Sequence, residues 1–187
     1  MRVCLDAGHG RKNNKSTGAP PANGIVEDDW ALMFAQRLGH YLRASGAETV
    51  FTRTDKAFVA LASRGALAKA KSCDFFLSIH LNSAVSDTAH GCEAFVALND
   101  KRSQAIAAKL ASVVFAAGMH ARGVKWDNQG QHKSLRVLRD TYGRMPAVLI
   151  EMGFVTNISN ARRLSDKIWC EKAAEAMARA IINSYSC

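Results

Sequence analysis

Four side chains stand out as carriers of chemistry: His9, Glu27, His80 and Glu151. His9 lies between Gly8 and Gly10, whose freedom to take unusual backbone angles suits a loop that presents a ligand. Glu151 stands between Ile150 and Met152 after an apolar run, where a carboxylate needs a partner or a metal. His80 ends the run Asp74 to His80, and Glu27 opens the acidic triplet Glu27-Asp28-Asp29. Two imidazoles and one carboxylate, with a fourth position left for water, make a catalytic zinc set. A further glutamate nearby would supply the general base. Plainer readings stand beside this one. The three acids equally suit the first turn of a helix, where the dipole favours them, and spacing does not choose among them. A histidine at the end of an apolar strand is more often a satisfied core residue than a ligand. His40, His90, His120 and His132 fall on presumed surfaces or loops and read as solvated. No Gly-x-Ser-x-Gly elbow, no Gly-Lys-Ser/Thr phosphate loop and no His-Glu-x-x-His helix occurs.

The elements that must position these residues alternate between strand and helix. Strands are expected at 2–6, 48–53, 74–80, 91–98, 134–139 and 147–151. Trp30, Phe34, Leu38, Tyr41 and Leu42 recur at helical spacing, and Gly46 is placed to end that helix. Further helices are expected at 61–71, along Ile106, Leu110, Val113, Val114 and Ala117 up to Gly118, and along Ala173, Ala174, Met177, Ile181 and Ile182. Residues 10–24 and 119–133 read as long polar loops. The pattern predicts a single α/β domain over 1–187, an open, twisted, mainly parallel or mixed sheet of about six strands with helices on both faces. In such sheets ligands gather beyond the carboxyl ends of the strands, which is where His9, His80 and Glu151 fall.

Composition sets the outer bounds. Lys and Arg number 25 against 16 Asp and Glu, a net charge of +9, which draws the protein toward polyanions. The basic residues are scattered, aromatics are 7%, and no nucleic-acid module is recognisable, so we assign the charge to an acidic envelope rather than to nucleic acid. No apolar run approaches the roughly eighteen residues of a membrane span. The opening Met1-Arg2-Val3-Cys4-Leu5-Asp6 turns polar too soon for a signal peptide. The five cysteines, Cys4, Cys73, Cys92, Cys170 and Cys187, are odd in number and form no Cys-x-x-Cys pair. We read them as reduced, buried thiols, with Cys187 named for any disulfide.

Five motifs in order resemble the zinc-dependent N-acetylmuramoyl-L-alanine amidases of bacterial cell separation and of phage endolysins. They are Asp6-Ala7-Gly8-His9-Gly10; Gly18-Ala19 with Gly24-Ile25-Val26-Glu27; Arg53-Thr54 with Leu61 and Arg64; Ser78-Ile79-His80-Leu81-Asn82-Ser83; and Pro146 to Asn157 around Glu151. The match runs from about residue 2 to residue 183. The resemblance implies Zn2+ held by His9, Glu27 and His80, Glu151 as the base, and Asn82 as a ligand-orienting or substrate-binding residue. It selects Glu27 over its two acidic neighbours. Two positions depart from the pattern: Arg11 replaces a common glycine, and Asn160 stands where an acid is frequent.

The reaction so implied is hydrolysis of the amide between the lactyl group of N-acetylmuramic acid and L-alanine in peptidoglycan. The alternatives are a zinc peptidase acting elsewhere on the stem, or a wall-binding protein without catalysis. Some relatives carry an inserted helix that plugs the site; the short stretch from Ala84 to His90 leaves no room for one. The chain is therefore expected to be a monomer with no obligatory activator and no separate wall-binding domain. It would act on the cell wall, in the periplasm or outside the cell, after residence in the host cytoplasm if it is an endolysin.

Overall fold

The computed structural model describes residues 1–130 and 134–185; the readings of His132 and Cys187 fall outside them. In chain order the elements are β1 (Arg2–Ala7), β2 (Arg11–Lys12), β3 (Lys15–Ser16), α1 (Glu27–Ala44), β4 (Glu48–Phe51), α2 (Leu61–Ala70), β5 (Phe75–Asn82), β6 (Cys92–Val96), α3 (Lys101–Ala116), β7 (Ala121–Trp126), α4 (Arg136–Thr141), β8 (Ala147–Phe154), α5 (Ile158–Ser165) and α6 (Lys167–Asn183). Six strands form one sheet in the order β4-β1-β5-β8-β6-β7. The first four run parallel, β6 is antiparallel to β8, and β7 is parallel to β6. The sheet is thus mixed and mainly parallel, as expected.

Both faces are covered, and the strands show why. Successive side chains of a strand point to opposite faces. Val3, Leu5, Phe75, Leu77 and Ile79 pack with Phe34, Leu38, Leu110 and Met177 of α1, α3 and α6. Cys4, Phe76, Ala147 and Leu149 face the other way, against Ala68 of α2 and Val137 and Leu138 of α4. The consecutive apolar residues Val3-Cys4-Leu5 of β1 and Phe75-Phe76-Leu77 of β5 are what a sheet buried on both sides requires. Gly46 and Gly118 take positive φ (84° and 91°) just past α1 and α3, and their N–H groups bond back to the Arg43 and Phe115 carbonyls.

Four sequence expectations need correction. Residues 134–139 do not form a strand; most of them lie in α4, whose buried Val137, Leu138 and Thr141 follow helical spacing. The sixth strand is β7 instead, inside the stretch read as irregular. It is an edge strand with its first half exposed, so its residues need not be apolar. The strand expected at 48–53 stops at Phe51, and Thr52 and Arg53 turn their side chains to the β1 end. Within the expected loop at 10–24, β2 and β3 pair as a short hairpin. Its tip is Asn13-Asn14, at φ 51° and 62°, the left-handed angles a two-residue hairpin turn demands.

Cys4, Cys73, Cys92 and Cys170 are free and buried. Burial pushes the Cys92 and Cys170 thiols up to about 11, which keeps them protonated and inert. Among the described residues no helix is long and apolar enough to cross a membrane.

Candidate active site

Three separate elements bring His9, Glu27 and His80 together. Gly8-His9-Gly10 leaves the end of β1, with the Gly8 N–H bonded to the Ile79 carbonyl at 3.0 Å. His9 itself takes the left-handed conformation (φ 58°), an unusual angle for a residue with a side chain. Gly8 is needed because the His80 ring lies against it: a Cβ there would stand 2.6 Å from His80 Nδ1. Glu27 is the first residue of α1 and reaches back over the loop. Its Oε2 accepts the Ala19 N–H at 2.7 Å and its Oε1 the Leu81 N–H at 3.1 Å. The same Oε1 lies 3.2 Å from His9 Nε2 and 3.1 Å from His80 Nδ1. One ligand atom from each residue lies within 4.8 Å of the others.

The protons on His80 test whether this group suits a metal. Ser78 Oγ lies 2.6 Å from Asp6 Oδ2 and 3.1 Å from His80 Nε2. The Asp6 carboxylate, ion-paired to Arg64, only accepts, so the Ser78 hydroxyl gives it its one proton. Ser78 must then accept from His80 Nε2–H, and a neutral His80 is left with a bare Nδ1 facing Glu27 Oε1. The gap between them takes either a second ring proton or a metal ion. The donor set therefore fits a divalent metal, and the Asp6–Ser78–His80 chain is the outer support that orients such a ligand.

Two buried arginines hold the loop beneath. Arg64, 1% exposed, donates to Asp6 Oδ1 at 2.7 Å and to the carbonyls of Ala7, His9 and Val59. Arg53 donates to the carbonyls of Ala7, Gly8, Asp28 and Asp55. Arg11 and the other two acids explain one another: Arg11 lies 3.5 Å from Asp28 and 2.7 Å from Asp29. Asn160 Oδ1 accepts the backbone N–H groups of Gly91 and Phe154, tying the residue before β6 to the end of β8 as an acid in that place also could.

Glu151 lies beside this group. On β8 it is the register partner of His80 on β5 and of Glu93 on β6, so the three form one row across adjacent strands. The register slips just beyond His80, an irregularity typical of strands that aim side chains at a site. Glu151 Oε2 is buried with no hydrogen-bond partner. Burial, then the negative charges of Glu27 and Glu93, raise its pKa well above the usual carboxylate range. For Glu27 burial acts the same way, but the hydrogen bonds and charges of His80 and His9 outweigh it and hold the carboxylate well below that range. Two carboxylates with opposite shifts in one cleft are a signature of divided chemical roles. A cavity of about 460 Å3 contains His9, Glu27, His80, Asn82 and Glu151, with the exposed Phe58 and Leu61 at its lip.

The five residues named from the sequence all line this cavity. The sequence reading missed the support: Asp6, Ser78, Arg53 and Arg64 were seen only as motif letters. It also missed Glu93, whose position inside the apolar strand Cys-Glu-Ala-Phe-Val was the available signal, since a buried acid requires partners.

Comparison with known proteins agrees with this geometry. The Amidase_3 family model, N-acetylmuramoyl-L-alanine amidase, matches residues 3–183. The uncharacterised protein YqiI of Bacillus subtilis is 34% identical over 98% of this chain and 84% of its own length. The N-acetylmuramoyl-L-alanine amidase LytC of the same organism is 33% identical over 98% of this chain, which spans only 35% of LytC. The solved catalytic domain of CwlV, an N-acetylmuramoyl-L-alanine amidase from Bacillus (Paenibacillus) polymyxa, superposes with a TM-score of 0.85 at 30% identity, covering 97% of this chain and 96% of that one. The chain therefore belongs to the N-acetylmuramoyl-L-alanine amidase family of peptidoglycan hydrolases.

Proposed function

We propose that the chain hydrolyses the amide joining the lactyl group of N-acetylmuramic acid to L-alanine, with zinc held by His9, Glu27 and His80 and with Glu151 as general base. The observation that carries this reading is the pairing of a His–Glu–His group around one carboxylate oxygen with a buried, unpartnered carboxylate in the same cavity. Zinc bound there would acidify water and draw charge from the amide carbonyl. Glu151 takes the proton from the attacking water as the new C–O bond forms. It then returns that proton to the alanine nitrogen as the C–N bond breaks. Its pKa, raised by burial and by the charges of Glu27 and Glu93, suits a group that must both take and give a proton. Asn82 borders the reacting centre and contacts substrate.

The chain works as one catalytic unit at the cell wall. Only residues 83–91 join β5 to β6, too few to carry a plugging helix, which supports a site open without an activator; we take the enzyme to act as a monomer.

End-group chemistry on purified peptidoglycan tests the function. The expected products are a free N-terminal L-alanine on an intact stem and a free lactyl carboxylate on the glycan, in equal amounts. New amino ends at any other stem residue would make the chain a peptidase, and wall binding with no new ends would make it a binder.

A further inference from the structure

We propose that a second cavity, beside the catalytic one, is the subsite for the peptide stem, and that Arg122 and Lys125 there bind a stem carboxylate close to the cut; this rests on the amidase reading above. The cavity has a volume of about 390 Å3 and shares Asn82, Leu135 and Glu151 with the catalytic cavity. A substrate held at Glu151 can therefore extend directly into it.

The charges inside do not cancel. Lys125 Nζ at 2.5 Å and Arg122 Nε at 2.8 Å both donate to Glu93 Oε2, while Glu93 Oε1 accepts from Asn82 Nδ2 at 2.7 Å. The Glu93 side chain is 6% exposed, but those of Arg122 and Lys125 are 34% and 30% exposed. Burial would raise the Glu93 pKa, yet the hydrogen bonds and charges of Lys125 and Arg122 win and hold it low, so one anion faces two cations. The other acid at the wall, Asp127, is fully buried and already bound by Arg139 at 2.6 and 2.9 Å. Apart from Glu151, then, one positive charge is left without a partner among the described residues. Both cations are also steadied by rings: Arg122 lies 5.1 Å from the Phe154 centroid and Lys125 5.8 Å from that of Phe95. Such pre-positioned cations lose little freedom on taking up an anion.

The stem supplies that anion. After L-alanine it continues through a γ-linked D-glutamate whose other carboxylate is free or amidated. Two residues of extended chain reach on the order of 7 Å, and the two cavities adjoin along Asn82, Leu135 and Glu151. A carboxylate accepting charge-assisted hydrogen bonds from both cations would be told apart from a neutral amide.

The test uses the zinc-loaded protein and two synthetic tripeptides, L-Ala-γ-D-Glu-L-Lys and its twin with the glutamate α-carboxylate amidated. Calorimetry should show the acid bound about tenfold tighter than the amide. Lys125→Met and Arg122→Gln should each cut that preference at least about threefold, and Lys125→Arg should retain it. Glu93→Gln, by releasing both cations, should increase it. A merely structural pairing with Glu93 predicts no such increase. The KM values of the matching muramyl substrates should follow the same order, with kcat changed less. Equal binding of acid and amide by the wild type overturns the proposal even if a variant fails to fold, as does a preference that survives both cation substitutions. If the wild type cleaves both substrates with equal KM, the subsite fails and the amidase reading stands. If it neither binds nor cleaves either, both fail.

Discussion

Replacing Glu151 by Gln is expected to lower kcat by roughly 10²–10⁴-fold, the contribution of a positioned general acid–base, while leaving the metal site intact. Glu151 accounts for none of the contacts that hold Glu27: those come from the Ala19 and Leu81 amides and from the two imidazoles. Its own Oε2 is buried and unpartnered, and two other carboxylates push it toward its neutral form. Gln keeps the shape and removes a charge that is costly to bury, so the metal-free variant should melt no lower than the wild type. The measurement is kcat on a soluble muramyl peptide together with a thermal melt of the apoprotein. Turnover within a few-fold of wild type would remove Glu151 from the reaction.

The second large effect is on stability. Arg64→Ala should destabilise the fold by about 3–5 kcal/mol, the usual result of stripping one partner from a buried ion pair. That is a sizeable share of the roughly 5–15 kcal/mol that holds a typical domain together. Asp6 is fully buried, and without Arg64 its charge would rest on the hydroxyls of Thr52 and Ser78 alone. The loss also frees the His9 carbonyl and leaves that of Ala7 to Arg53 alone, so the loop bearing His9 loosens. Arg64→Lys keeps the charge but not the fork that serves Asp6 and three carbonyls at once, and should fall between. Chemical denaturation midpoints measure this. A loss below about 1 kcal/mol for Arg64→Ala, as an exposed pair gives, would mean the clamp contributes little.

How much of this could be read in the sequence depends on what local pattern encodes. β1 and β5 were legible because a strand covered on both faces carries runs of consecutive apolar residues; His9 and Glu151 stood out at strand ends, while the position of His80 suited a core histidine as well, and the family motif alone gave it a metal role. β7 was not, because an edge strand with one neighbour tolerates Arg122, Gly123 and Lys125. Glu27 could not be separated from Asp28 and Asp29 by spacing. Each step along a helix turns the side chain by about 100°, and which one faces the β1 loop depends on how α1 is docked. In the structure Asp28 and Asp29 turn to Arg11, and only Glu27 reaches the histidines. The family motif carried that information; the periodicity did not. Glu93 lies between the two cases: its burial was foreseeable from its apolar neighbours, but its partners Arg122 and Lys125 lie 29 and 32 residues away.

The central claim is that three residues from three elements form one metal site and that Glu151 stands outside it. Zinc titration of the apoprotein by calorimetry, on wild type, Glu27→Gln and Glu151→Gln, tests it most directly. One zinc per chain is predicted for wild type and Glu151→Gln with similar affinity, and binding at least about 100-fold weaker for Glu27→Gln, since a neutral amide replaces the only anionic ligand. Wild-type affinity in Glu27→Gln, or loss of zinc in Glu151→Gln, would contradict the assignment.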